Sequence, residues 1–125
     1  MKYDPRQFVD PESWQRSSEG DRLIAVTEYH RRYKIPTPNE NIHAVIHVIV
    51  ENQVALGDDY PAKAVLARLM CEGLHRHEAI HAIGSVLAEQ LFNVLKHKDT
   101  QSDVNAEYQK KLHQLSAESW RKLGS

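Results

Sequence analysis

Apolar positions along the chain recur at helical spacing and divide it into a short lead-in and five helices. Between Asp21 and Lys34, the residues Leu23, Val26, Thr27, His30 and Tyr33 follow i, i+3, i+4, i+7 spacing, with arginines and glutamates between them. That pattern predicts an amphipathic helix. Ile35-Pro36-Thr37-Pro38 ends it, since a residue before proline avoids the α region. A second helix is predicted over 38–56, capped by Thr37 or Asn39 and stopped at Gly57. Its apolar residues, from Ile42 to Leu56, occupy every angular sector. It is therefore expected to be the most buried element, or to lie in an oligomer interface. It is rich in β-branched residues, yet its polar positions 43, 47 and 51 keep a helical period and no alternation is present.

A third, shorter helix is predicted from Tyr60-Pro61 to Glu72, with Val65, Leu66 and Leu69 on one face and Gly73 as its stop. A fourth runs from Arg76 to Lys98 on a stripe of Ile80, Ile83, Leu87, Leu91 and Val94. Gly84, Ser85 and Ala88 form a small-residue flank that would let another backbone approach. A last amphipathic helix covers Val104 to Leu123. Residues 1–18 are less regular: Asp4-Pro5 and Asp10-Pro11 read as N-caps followed by proline at the first helical position, with Phe8 and Trp14 as anchors to the core. The expected fold is all-α: a single domain over 1–125, a compact bundle of about five helices around the apolar helix 38–56.

Composition narrows the classes without choosing among them. In 125 residues, 41% are hydrophobic, 26% are charged and the net charge is −1. No global field favours nucleic acid or an anionic membrane surface, so neither is expected as a partner. Cys71 is the lone cysteine, which excludes an intramolecular disulfide. It reads as a small buried hydrophobe. The apolar runs are too short to span a bilayer and Met1–Gln7 carries no signal region, so a soluble cytoplasmic protein is expected.

Histidine changes the picture. Four of the eight histidines form two pairs, His43/His47 and His77/His81, each spaced i, i+4. That spacing sets both rings of a pair on one stripe, about 40° apart. Residues 43–49 and 77–83 agree at four of seven positions, with an offset of 34. If the second, third and fourth helices run up, down, up, the second and fourth are parallel and the pairs stand at one height. The four imidazoles would then converge, with Glu51 one turn below His47. These are ligand types suited to a divalent transition metal such as Zn²⁺, Ni²⁺ or Fe²⁺. His43, His47, His77, His81 and Glu51 are the candidate ligands; His30, Glu78 and Glu89 are candidate supporting or extra ligands. Two other readings stand beside this one. In the first, the histidines serve structure in a non-enzymatic interaction or scaffold module, a homo-oligomer. In the second, His77-Glu78-Ala79-Ile80-His81 is the H-E-x-x-H pattern of zinc hydrolases, with Glu78 activating water. A capping box at the start of the helix is the simpler account of Glu78. No phosphate loop, nucleophile elbow or DNA-reading helix is present, and no pattern identifies a reaction.

The stretches from Asn41 to Gln53 and from Arg76 to Glu89, with both histidine pairs and the Leu87-Ala88-Glu89 tail, resemble a bacterial family of small proteins classed as a domain of unknown function. The resemblance covers roughly residues 40–95. It implies a helical fold and histidines that belong together, and brings no activity, substrate or partner. A short polar residue stands in that pattern where this chain has His75.

Overall fold

The computed structural model describes residues 2–33, 39–96 and 104–124, which are helices and connections with no strand among them. The all-α expectation holds. The helices are α1 (Pro11–Arg16), α2 (Glu19–Arg32), α3 (Glu40–Ala55), α4 (Ala62–Cys71), α5 (Arg76–Lys96), α6 (Val104–Gln114) and α7 (Ala117–Gly124).

Their starts follow local chemistry. Asp10 caps α1 by accepting from the Ser13 amide, with Pro11 at the first helical position as the sequence predicts. Ser18 caps α2 through the Asp21 amide, so α2 begins two residues earlier than its apolar period suggests. Asn39 caps α3 through Ile42 N. Gly57, at φ 68°, takes the left-handed conformation that ends α3. The predicted helix ends at Lys34 and Lys98, the Thr37 cap and Pro38 lie outside the described residues.

The predicted final helix is two. Its chain breaks at Leu115-Ser116, where Ser119 N donates to Ser116 Oγ and Ser116 N to Ser119 Oγ, each at 3.0 Å, a reciprocal cap that starts α7. Arg68 and Glu72 of α4 secure this elbow. Arg68 Nη2 donates to the carbonyls of Leu112 and Leu115, and Glu72 Oε1 accepts from Ala117 N at 2.8 Å. A cation thus meets the carbonyl end of α6 and a carboxylate the amide end of α7.

Two apolar clusters meet along α3. Val50 joins one with Leu66, Leu69, Ile80, Ile83 and Leu112; Ala44 and Val48 join the other with Trp14 and Val26. The helix is central, but it is not the most buried one. Its neighbours cover two sides and leave a third open, where Ile42 is 59% and Val45 44% exposed. Of the predicted N-terminal anchors, Trp14 is buried and donates to Asn52 Oδ1 at 2.8 Å, whereas Phe8 is 81% exposed. Cys71 is exposed, not a core residue. No described helix is long and apolar enough to cross a membrane.

The predicted parallel arrangement of α3 and α5 is not observed. Along their contact His43 lies against His81, His47 against His77 and Glu51 against Arg76, so the two chains pass in opposite directions. Close approach depends on Gly84: a Cβ there would stand 3.0 Å from Ile46 Cγ2.

Candidate metal centre

The helix period of α3 and α5 turns both histidine pairs inward, and α2 adds His30 from a third side. The ligand nitrogens of His30, His47, His77 and His81 all lie within 4.8 Å of one another. A tetrahedral ion with bonds of about 2.1 Å needs nitrogens about 3.4 Å apart, so each ring would move by less than about 1 Å to close on one. Four histidines therefore lie close enough to hold a metal ion. His30 and His47 are buried, and His77 and His81 are partly so.

Hydrogen bonding fixes which nitrogen is free on His30 and His47. His30 Nδ1 lies 2.8 Å from the Val26 carbonyl, which can only accept, so Nδ1 carries the proton and Nε2 the lone pair. Tyr3 donates its hydroxyl proton to Glu51 Oε2 at 2.5 Å. Its oxygen therefore accepts from His47 Nδ1–H at 2.9 Å, and the lone pair of His47 also falls on Nε2. The Nε2 atoms of His47, His77 and His81 are buried with no hydrogen-bond partner. Buried polar atoms are rarely left unsatisfied, so three in one cluster mark a place where an ion or a water would find partners.

The rings are held neutral. Burial first, and the neighbouring imidazoles second, lower His47 well below the ordinary histidine range. The same causes bring His77 to about 4 and His81 to about 3. Neutral imidazole is the form that binds a metal.

The other candidates fall in different places. His43 is half-buried and sits at the rim, its Nε2–H donating to His30 Nε2 at 3.0 Å, outside the four-nitrogen group. Glu51 is not free to be a ligand. It is 1% exposed and forms a two-armed ion pair with Arg76 at 2.8 and 2.9 Å. Burial alone would lower the Arg76 guanidinium, but the bonds and charge of Glu51 outweigh that and raise it. Glu51 thus acts on the cluster through Tyr3. Glu78 is exposed and accepts from Trp120 Nε1 at 3.2 Å, and Glu89 pairs with Lys111 on the surface. Neither is hydrogen-bonded to a histidine of the cluster, and the Glu78 carboxylate is turned to Trp120.

Sequence reasoning left out Tyr3 and Arg76. Arg76 adjoins His77, so its proximity was readable. Tyr3 stands 44 residues from His47 in an irregular segment, and no local pattern joins the two. Comparison with protein-family models, with curated proteins and with solved structures gives no match.

Proposed function

We propose that the protein is a small metal-binding protein that holds one divalent transition ion between α2, α3 and α5. His30, His47, His77 and His81 would be its ligands. The observation that carries this reading is a group of four histidines whose ligand nitrogens lie within 4.8 Å of one another, three of them with a buried, partnerless Nε2 and the fourth, His30, with its lone pair on Nε2. Without an ion, those lone pairs would have to be met by buried water in a low-dielectric interior. Tyr3, backed by Glu51 and Arg76, orients His47 as outer groups do in metal proteins. Four nitrogen donors suit Zn²⁺, Ni²⁺ and Fe²⁺ alike.

Elemental analysis of protein purified without a histidine tag tests the proposal, with about one equivalent of metal per chain expected. Metal well below one equivalent, with no thermal shift on adding Zn²⁺, Ni²⁺ or Fe²⁺, would sink it. A second reading, an interaction module that assembles with itself, draws on the exposed Ile42 and Val45 of α3. A His47→Ala, His81→Ala double variant separates the two: a folded protein without metal favours the first, and loss of assembly with no metal involved favours the second.

A further inference from the structure

Beside the histidine cluster a cleft of about 380 Å³ runs between α3 and α5. That size falls within the range of small-molecule sites. Ile42, Ile46, Ile80, Gly84, Ala88 and Trp120 make most of its walls, Asn39 and Ser85 line it with their oxygens already bonded to the backbone, and His43, His47 and His81 form its inner end. An apolar cleft closed by imidazoles is an uneven environment, and it has two unmet requirements once the reading above is granted.

The first is charge. Four neutral imidazoles leave a divalent ion with its full double charge, and low-dielectric surroundings make that costly. Of the carboxylates around the cluster, Glu51 is already matched by Arg76, Asp4 by Arg6 and Glu40 by Arg31, and Glu78 is exposed to solvent and bonded to Trp120. The second is a hydrogen bond. His43 Nε2–H donates to the lone pair of His30 Nε2. An ion on that lone pair removes the acceptor and leaves a donor at the inner end of the cleft. One group answers both requirements: an anion that accepts from His43 and stands next to the ion. The walls ask that the rest of the molecule be apolar.

We propose that the cleft binds a small monocarboxylate with an apolar tail, its carboxylate turned to the histidine centre and accepting from His43. This rests on the metal-binding reading above. The test uses the full chain, untagged and loaded with Co²⁺, whose visible absorption reports changes around the ion. Titration with octanoate is expected to shift that absorption and the emission of Trp120, with an affinity at least about tenfold above that of acetate, since several methylenes become buried. Octan-1-ol, which lacks the charge, is expected to leave the Co²⁺ bands unmoved. Ala88 is exposed and lines the cleft. Ala88→Trp is therefore expected to keep the Co²⁺ spectrum and lose the octanoate response. Failure to bind Co²⁺ overturns both proposals. Normal Co²⁺ loading, with octanoate no better than acetate or equally effective on Ala88→Trp, overturns the carboxylate site alone.

Discussion

The behaviour of His47 is set by atoms far from it in sequence. Its Nδ1–H is held by Tyr3, Tyr3 by Glu51, and Glu51 by Arg76, which also donates to the Pro5 carbonyl at 3.0 Å. The chain of donors has one polarity: cation to carboxylate, carboxylate from hydroxyl, hydroxyl from imidazole. Tyr3→Phe removes only the middle link. We expect it to fold and to weaken metal binding by roughly 10–100-fold, the usual cost of losing an outer partner of a ligating histidine; competition against a chelator of known affinity measures this. Glu51→Ala is a different perturbation. It leaves Arg76, 5% exposed, as an unpaired buried cation. The expected loss is roughly 3–5 kcal/mol of stability, read from the urea midpoint. An unchanged midpoint would mean that Arg76 finds water or another anion. At this scale the sequence names the histidines through their i, i+4 spacing, but not the role of each. Glu51 looks like a ligand by its position one turn from His47, and only its ion pair with Arg76 removes it from the set. His30 lies on the inward apolar stripe of its helix, which makes it a candidate extra ligand, but its place among the four depends on α2 packing across α3, a tertiary fact.

Elements were legible where a local rule decides them. Asp10-Pro11, Asn39 and Gly57 mark helix ends by their own conformational preferences, and the structure uses all three. The direction of α5 against α3 was not legible, because it depends on how the connections through α4 pack rather than on any periodicity. Convergence of the histidines survives the reversal. An i, i+4 pair presents nearly the same stripe in either direction, so His43 and His47 meet His81 and His77 instead of the reverse. The α6–α7 break was hidden by an apolar period that carries on across it. Its signal is the Ser116-x-x-Ser119 cap, a pattern weaker than the Ser/Thr-x-x-Glu box. Ser116→Ala is expected to cost about 1 kcal/mol, measured by thermal or urea unfolding. It should leave metal content unchanged, because the elbow packs on α4 and does not touch the histidines.

For the whole molecule, placing neutral imidazoles in one interior ties stability to pH. His47, His77 and His81 titrate below the ordinary histidine value when folded, His77 near 4 and His81 near 3. In the unfolded chain they titrate near 6.5. Below that value the unfolded state binds protons that the folded state refuses, so stability rises with pH through this window and levels off above about 7. Each histidine inside the window contributes at most about 1.4 kcal/mol per pH unit. Between pH 7 and 5 carboxylates are largely ionised in both states, so the slope there belongs to the histidines. Metal-free protein is therefore expected to lose stability from pH 7 to 5, by an amount that His77→Gln and His81→Gln each reduce. Bound metal adds to this dependence, since protons and the ion compete for the same lone pairs. At pH 7 an ion at a hundred times its dissociation constant should stabilise the fold by about 2.7 kcal/mol. That increment should shrink as the pH falls and protons take the ligands. Urea unfolding at pH 7, 6 and 5, with and without Zn²⁺, measures both quantities. A metal-free stability that stays flat over this range would mean that the cluster is open enough in solution for its imidazoles to protonate freely.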